Sequence, residues 1–227
     1  MPRFDSTCWE VIERAASGEE GPRDEFARRY APIIRDYLGR RWKDTPLRAE
    51  VEDAVHDVFL ECFRLDGVLE RADSARSGGF RAFLYGVIRN VARRFEDVRA
   101  RSRETQPTVS FDPNKQEMLE TSLSQVLDRA WARAILDEAG ARHRKEAAIQ
   151  GKDAMRRVEL LRLRFEENLP IREIARHWDM DPDKVHQEYR AARREFRRYL
   201  AAELTFHTEG GDEDAERQWE EFLLLLK

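Results

Sequence analysis

The chain has 227 residues, of which 41% are hydrophobic and 38% are charged, and its formal net charge is −4. This length suits one large domain or two small ones, and the charged fraction indicates modest cores with heavily solvated helix faces. The composition is rich in Ala, Leu, Glu and Arg, which favour helices. Long runs of alternating β-branched residues are absent from the sequence, so we predict an all-α fold.

The cysteines and the apolar runs of the sequence indicate the cellular compartment in which the protein is expected. Cys8 and Cys62 have neither metal-site spacing nor a disulfide framework, so we expect a reduced, cytoplasmic setting. Residues 1–20 lack a basic start followed by an apolar run, and we expect no signal peptide. The longest apolar run, 222–226, is too short to cross a bilayer, so we expect no membrane insertion. We also expect no cofactor and no bound metal.

Apolar periodicity predicts three helices in the first half of the chain. They cover residues 24–42, 50–64 and 80–101, and Pro32 predicts a kink or a break in the first of them. The three helices can close a compact N-terminal bundle. The proline-containing segment that follows predicts a flexible linker over residues 105–122.

Helical periodicity resumes in the second half of the chain. It extends from about residue 117 to residue 138, with a break predicted near Gly140 and a weak point at Gly151. A further helix is predicted over residues 155–166.

The region from residue 169 to residue 204 predicts a helix-turn-helix. A short helix with one apolar face covers residues 171–178, a tight turn covers residues 179–181, and a longer basic helix follows. Asp181 can cap the longer helix, and Pro182 suits its first position. A short helix, a three-residue turn and a longer basic helix are typical of the motif.

Two predicted helices are strongly basic although the chain is acidic. Residues 80–103 hold seven Arg and two acids, and residues 184–199 hold six basic residues and two acids. By contrast, residues 47–73 and residues 205–227 each have a net charge of −5. Two basic helices in an otherwise acidic chain indicate two contacts with a polyanion.

The basic helix after the turn is predicted to enter the major groove of DNA through its first residues. Lys184 and Gln187 are the candidate base readers, and the arginines supply affinity for phosphates. The predicted DNA-binding residues of this helix are Pro182, Lys184, His186, Gln187, Arg190, Arg193 and Arg194. Asp183 and Glu188 oppose this interpretation because anions repel phosphates, and a generic helical hairpin stays open as the alternative.

The helix over residues 80–101 combines aromatic side chains with arginines. Aromatic faces stack on unpaired bases and arginines follow the backbone, a combination that suits single-stranded or melted DNA. The predicted DNA-binding residues of this helix are Phe80, Tyr85, Arg89, Asn90, Arg93 and Arg94. Aromatic residues at helical spacing are more often core residues, and Phe83 is assigned to the core.

Three sequence blocks carry a resemblance. Residues 52–60, EDAVHDVFL, are similar to a segment that reads acidic-Asp-x-Val-Gln-acidic-x-Phe. Residues 80–90, FRAFLYGVIRN, are similar to F-R-x-W-L-Y-x-I-A-R-N, and residues 161–175, LRLRFEENLPIREIA, to L-L-R-x-x-E-G-L-x-x-x-E-I-A. These segments, in this order, are those of bacterial RNA polymerase sigma factors, and the chain resembles the small extracytoplasmic-function (ECF) subfamily of the sigma-70 superfamily.

The resemblance implies an alternative sigma factor, not an enzyme. Such a protein binds core RNA polymerase and directs it to promoters by recognising their −10 and −35 elements, so that transcription starts there. The resemblance assigns core-polymerase binding, on a helical clamp of the largest subunit, to Asp53, His56, Asp57 and Leu60. It assigns the −10 element to the helix over residues 80–101 and the −35 element to the helix that starts at Pro182, whose domain also touches the polymerase flap.

The resemblance also divides the chain. The expected parts are a sigma region 2-like domain (1–104), the linker (105–122), a sigma region 4-like helix-turn-helix domain (123–204) and an acidic C-terminal extension (205–227). Many family members are held inactive by an anti-sigma factor, so the resemblance leaves open whether this chain also has an anti-sigma partner. The acidic extension either masks the basic helix over residues 190–198 or is a solvated addition.

Two other functions are weighed against this one. A stand-alone helix-turn-helix transcriptional regulator would share the C-terminal motif. A metal-dependent phosphohydrolase could use the His56-Asp57 doublet, but metal chemistry needs several convergent ligands, and no histidine precedes His56.

Overall fold

The computed structural model describes residues 8–64, 67–72, 79–101 and 113–206, the side chains of Cys8 and of residues 113–121 excepted. Every regular element within these ranges is helical, which confirms the prediction of an all-α fold. The α-helices are α1 (Cys8–Ala16), α2 (Glu20–Arg41), α3 (Val51–Phe63), α4 (Gly79–Arg101), α5 (Pro113–Gln150), α6 (Lys152–Phe165), α7 (Ile171–His177) and α8 (Pro182–Phe206). Short 3-10 helices cover Pro46–Glu50 and Val68–Arg71. No helix in the described ranges is both long enough and apolar enough to traverse a membrane.

The chain divides into two compact units. The first comprises Met1–Ala134 with Phe206–Lys227, and the second comprises Ile135–Thr205. The boundary falls inside α5, later in the chain than the end of the predicted linker. Of that predicted linker, residues 113–122 are helical and residues 105–112 lie outside the described residues. Most of the predicted acidic extension, residues 207–227, also lies outside them.

Aromatic rings from several helices build the core of the first unit. The ring centroid of Phe26 lies 4.6 Å from that of Tyr30 and 5.7 Å from that of Phe80. Trp131 of α5 joins the same cluster, because its centroid lies 5.4 Å from that of Tyr30. This contact places the segment of α5 around Trp131 in the first unit.

Helix α1 was not predicted from the sequence. The helix is nonetheless amphipathic, and its apolar side is buried: Ile12 and Ala15 are fully buried, and Trp9 is nearly so. The Trp9 ring meets the Phe80 ring edge-on at a centroid distance of 6.0 Å. Helix α1 therefore covers the aromatic cluster from one side.

Helices α2 and α4 are also joined by a polar cluster. The Trp42 Nε1–H donates a hydrogen bond of 2.8 Å to Glu96 Oε1. Arg41 binds the same carboxylate through Nε at 2.7 Å and Nη2 at 2.9 Å. The Arg41 side chain and Trp42 are both buried, so this carboxylate compensates a buried charge and a buried donor together.

The sequence predicted a kink or a break at Pro32 and a break near Gly140, and neither break occurs. Helix α2 continues across Pro32, where the burial of Ile33 and Ile34 offsets the missing backbone hydrogen bond. Helix α5 continues across Gly140, where glycine costs only about 1 kcal/mol relative to alanine. The predicted weak point at Gly151 is confirmed: this residue separates α5 from α6 and has φ of 103°, a left-handed value that favours glycine.

Three helices enclose the core of the second unit. Leu160 and Leu163 of α6 pack with Ile174 of α7 and Val185 of α8, all of them buried. Ala175 is also buried in this cluster, and its small side chain lets α7 lie close to its neighbours. The core thereby fixes α7 and α8 relative to each other within this unit.

Candidate nucleic-acid interface

A tight turn joins α7 to α8. The Met180 N–H donates a hydrogen bond of 2.9 Å to the Ala175 carbonyl, and Asp179 adopts a φ of 51° that Asp tolerates better than most residues. Asp181 Oδ1 then accepts hydrogen bonds from the backbone N–H groups of Asp183 at 2.8 Å and Lys184 at 3.1 Å. The predicted cap is thus confirmed, as is the position of Pro182 at the first residue of α8.

One side of α8 is basic and exposed. An α-helix has 3.6 residues per turn, so side chains three, four and seven positions apart share a side. The basic face of α8 consists of Gln187, Arg190, Arg193, Arg194 and Arg197, all of which are exposed. Pro182, Lys184 and His186, the other residues predicted to bind DNA here, are exposed near the start of the helix. The opposite side holds the buried Val185 and Ala192.

The acids of α8 are mostly turned away from the basic face. Glu195 binds the Arg157 Nε of α6 at 2.9 Å. Glu188 lies 3.7 Å from Arg157 Nη1 and 3.8 Å from Arg156 Nη2, and its side chain is 22% exposed. Glu188 is therefore paired with cations on the inner side of the helix and does not face a phosphate bound outside. Asp183 stays exposed at the start of α8.

A buried histidine lies behind α8 within the second unit. His143 of α5 is 3% exposed, and its ring stacks on that of Tyr199 at a centroid distance of 5.2 Å. Its Nε2 lies 3.5 Å from Glu195 Oε2, too far for a good hydrogen bond. Burial lowers the pKa of His143, and the nearby Glu195 carboxylate opposes this shift only in part. A neutral imidazole therefore fits this position.

Helix α4 exposes part of the predicted −10 surface. Asn90 and Arg94 are exposed, and Arg93 is half-buried. Tyr85 is half-buried against Tyr37, with the two rings edge-on at 5.7 Å. The remaining predicted residue, Arg89, is half-buried and its Nε is buried without a hydrogen-bond partner among the described residues.

Phe80 was predicted to stack on DNA bases, and this prediction is wrong. The residue is 4% exposed, and its ring lies 5.1 Å from that of Tyr30 within the aromatic core. Phe83, which was assigned to the core, is half-buried and stacks against Phe80 at 5.8 Å. Between the two rings, Phe83 is the more accessible one.

The residues predicted to bind core polymerase share the outer side of α3. This outer face of α3 consists of Asp53, His56, Asp57 and Leu60; Asp57 is half-buried and the others are exposed. Leu60 is 54% exposed and adds an apolar group to this face. The inner side of α3 carries the buried Ala54, Val58 and Cys62.

One residue at this surface was missed from the sequence. Glu61 Oε1 accepts a hydrogen bond of 2.7 Å from Arg94 Nη1, which links α3 to α4. Asp57 Oδ2 also lies 3.3 Å from Arg94 Nη2. The i, i+4 spacing of Asp57 and Glu61 predicts that both carboxylates lie on one side of α3, and this spacing was the signal that could have drawn attention to Glu61. The sequence does not reveal that Arg94 lies opposite the two carboxylates.

Comparisons with known proteins give no family for the chain: no protein-family model matches it, and no curated protein matches it. Across the described part of the chain, no three His, Cys, Asp or Glu side chains come close enough together to hold a metal ion. The His56-Asp57 doublet thus has no further ligands among these residues.

Proposed function

We propose that this protein is an alternative sigma factor of the ECF type, which binds core RNA polymerase and directs it to promoters that carry −10 and −35 elements. The observation that carries the proposal is the arrangement of α8: a capped turn precedes a helix whose basic face is exposed and whose Glu188 and Glu195 pair inward with α6. The three sequence blocks give the same function, and the outer face of α3 supplies a surface for the polymerase.

In this proposal, α7, the turn and α8 act as a helix-turn-helix that reads the −35 element. Lys184 and Gln187 lie in the first turns of α8, the part of such a helix that reaches base edges. Arg190 and Arg194 follow at a spacing that keeps them beside the phosphate backbone, where they supply affinity without sequence information. The salt bridges from Glu188 and Glu195 to α6 support this assignment, because they reduce the repulsion that these acids would exert on DNA.

Helix α4 is proposed to contact the −10 element after the strands separate. Asn90 is exposed and can hydrogen-bond to a base edge, while Arg93 and Arg94 supply positive charge one turn further along. Tyr85 and Phe83 retain partly accessible rings that can stack on an unpaired base. Phe80 has no part in this contact because it lies in the core.

The outer face of α3 is proposed to dock on the polymerase. Asp53 and Asp57 provide negative charge for a basic partner surface, and Leu60 provides an apolar contact whose burial on docking is favourable by about 1–2 kcal/mol. Charge complementarity of this kind speeds association and fixes the register of the complex. Core polymerase is thus the primary partner, and promoter DNA is the second.

The stand-alone regulator differs from a sigma factor in its need for polymerase. We expect the chain alone to bind a promoter duplex weakly, and to bind it specifically once core polymerase is present, as measured by gel shift. Leu60→Ala should weaken core binding by about tenfold, whereas Ile149→Ala, which trims a residue that is 75% exposed and lies off these surfaces, should not. Specific promoter binding without polymerase, unaffected by Leu60→Ala, would favour the regulator.

A further inference from the structure

Arg94 is held by two carboxylates of the neighbouring helix. Its Nη1 lies 2.7 Å from Glu61 Oε1 and its Nη2 lies 3.3 Å from Asp57 Oδ2. The Arg94 side chain is 49% exposed, so solvent and DNA can reach it, while that of Glu61 is 22% exposed. Both carboxylates belong to α3, and Arg94 belongs to α4.

The charge of Arg94 is compensated within its cluster. Arg64 Nη1 also lies 3.7 Å from Glu61 Oε2, so two guanidiniums face two carboxylates, and the intact cluster presents no net positive charge to a phosphate. The hydrogen bond from Arg94 lowers the pKa of Glu61, so this carboxylate stays ionised at neutral pH and holds its partner. A phosphate that approaches Arg94 must therefore compete with Glu61 for the Nη donors and is repelled by Asp57.

The arginines of α8 are in a different state. Arg190 and Arg194 form no ion pair with the side chains that the structure describes, and Glu188 and Glu195 of that helix pair with α6 instead. Helix α8 thus presents available cations, whereas the most exposed arginine of the predicted −10 surface is neutralised. The contrast indicates that the two predicted DNA contacts are not equally ready in the free protein.

Asp57 connects this cluster to the docking surface. It is one of the four residues on the outer face of α3, and it is also a partner of Arg94. A cation from a docked partner that pairs with Asp57 removes part of the hold on Arg94. By linkage, a phosphate bound to Arg94 equally frees Asp57 for the partner.

We propose that Asp57 and Glu61 restrain Arg94 in the free protein, and that docking on the outer face of α3 releases Arg94 for single-stranded DNA. The identity of the docked partner, core polymerase, rests on the proposed function. The restraint itself does not, because it requires only the cluster within the first unit.

The restraint is tested with the full chain and no polymerase. Binding of a fluorescently labelled single-stranded oligonucleotide is measured by anisotropy at low salt. Glu61→Gln keeps the side-chain shape and removes the charge, and we expect it to tighten binding about two- to fivefold, the range of an exposed ion pair. Asp57→Asn should tighten binding by a smaller factor, because its contact with Arg94 is longer.

Glu52→Gln is the matched control. It removes the same charge from the same helix, and it breaks an ion pair of 2.6 Å with Arg35, away from Arg94. In an Arg94→Gln background, Glu61→Gln should no longer tighten binding, which isolates the pair from the general change in charge. Equal tightening by Glu61→Gln and Glu52→Gln, or tightening that persists without Arg94, would overturn the restraint.

The release is tested by adding core polymerase. In the complex, the natural chain and Glu61→Gln should bind single-stranded −10 DNA equally well, whereas a persisting difference would overturn the release.

The outcomes separate the restraint of Arg94 from the proposed function. A chain that shows the restraint but never binds polymerase contradicts the proposed function alone. A chain that directs transcription, yet in which Glu61→Gln behaves like Glu52→Gln, contradicts the restraint alone.

Discussion

Asp181 controls the start of the helix that is proposed to read DNA. A single carboxylate oxygen satisfies two backbone N–H groups that would otherwise lack a partner at the start of α8. We expect Asp181→Ala to lower the free energy of unfolding by about 1 kcal/mol, measured by chemical denaturation. Asp181→Ser should retain most of the stability because a hydroxyl can accept the same bonds. An alanine variant as stable as the natural chain would contradict this role.

His143 should make stability depend on pH. Burial holds its folded-state pKa below the ordinary value of 6.5, so above that value neither the folded nor the unfolded chain carries the charge. As pH falls below 6.5, the unfolded chain takes up a proton that the folded chain resists, and the free energy of unfolding falls until the folded-state pKa is reached.

The test compares denaturation of the natural chain and of His143→Phe between pH 7.5 and pH 5.5. The phenylalanine ring can stack on Tyr199 as the imidazole does, and it cannot titrate, so its stability should be flatter over this range. His177→Gln, which changes an exposed histidine, should retain the natural pH dependence. Parallel curves for the natural chain and His143→Phe would show that His143 is not the group responsible.

The basic face of α8 should determine how DNA binding responds to salt. Each arginine that neutralises a phosphate contributes about −0.9 to the slope of log K against log salt concentration on duplex DNA. In complex with core polymerase, we expect Arg190→Gln/Arg194→Gln to weaken −35 binding and to flatten this slope by about 2. The measurement is a salt titration of promoter binding.

A variant with the same net charge controls for this effect. Arg14→Gln/Arg35→Gln removes two arginines of the first unit that are paired with Glu19 and Glu52. Its slope should match that of the natural chain. An equal flattening in both variants would mean that net charge, and not the basic face, sets the salt response.

Sequence patterns predicted best the helices whose ends carry local signals. These signals act within a few residues of the chain, so they can be recognised in the sequence without knowledge of the tertiary structure. They are the cap at Asp181, Pro182 at the start of α8, and Gly151 between α5 and α6. Pro32 and Gly140 do not break their helices, because burial of neighbouring side chains, a property of the tertiary structure, maintains each helix through a residue that disfavours it locally.

The candidate site was predictable only where exposure follows from helical spacing. The basic face of α8 could be read from the sequence because the apolar residues of that helix mark its opposite side. Phe80 could not be assigned correctly, because its burial depends on rings of other helices, such as Tyr30 of α2 and Trp9 of α1, a helix that was not predicted. The partnership of Arg94 with Glu61 depends on how α3 and α4 pack, and no spacing within either helix reveals it.

The whole chain joins two helices that are each proposed to bind the same DNA. Covalent connection makes the second contact intramolecular, so two modest affinities combine into a much stronger one when both sites can engage. The proposed restraint of Arg94 implies an order for the two DNA contacts. Helix α8 has cations available for DNA before docking, whereas Arg94 of α4 becomes available only afterwards. Recognition by the complete chain is thus expected to need the polymerase as well as both DNA elements.

The most direct test is transcription in vitro with purified core RNA polymerase, with and without this chain, on a library of promoter fragments. The account predicts start sites that appear only when the chain is present. It also predicts that Arg93→Ala/Arg94→Ala still binds core polymerase but loses most of its promoter opening. A folded chain that yields no start site on any fragment, or that does not bind core polymerase, would contradict the account.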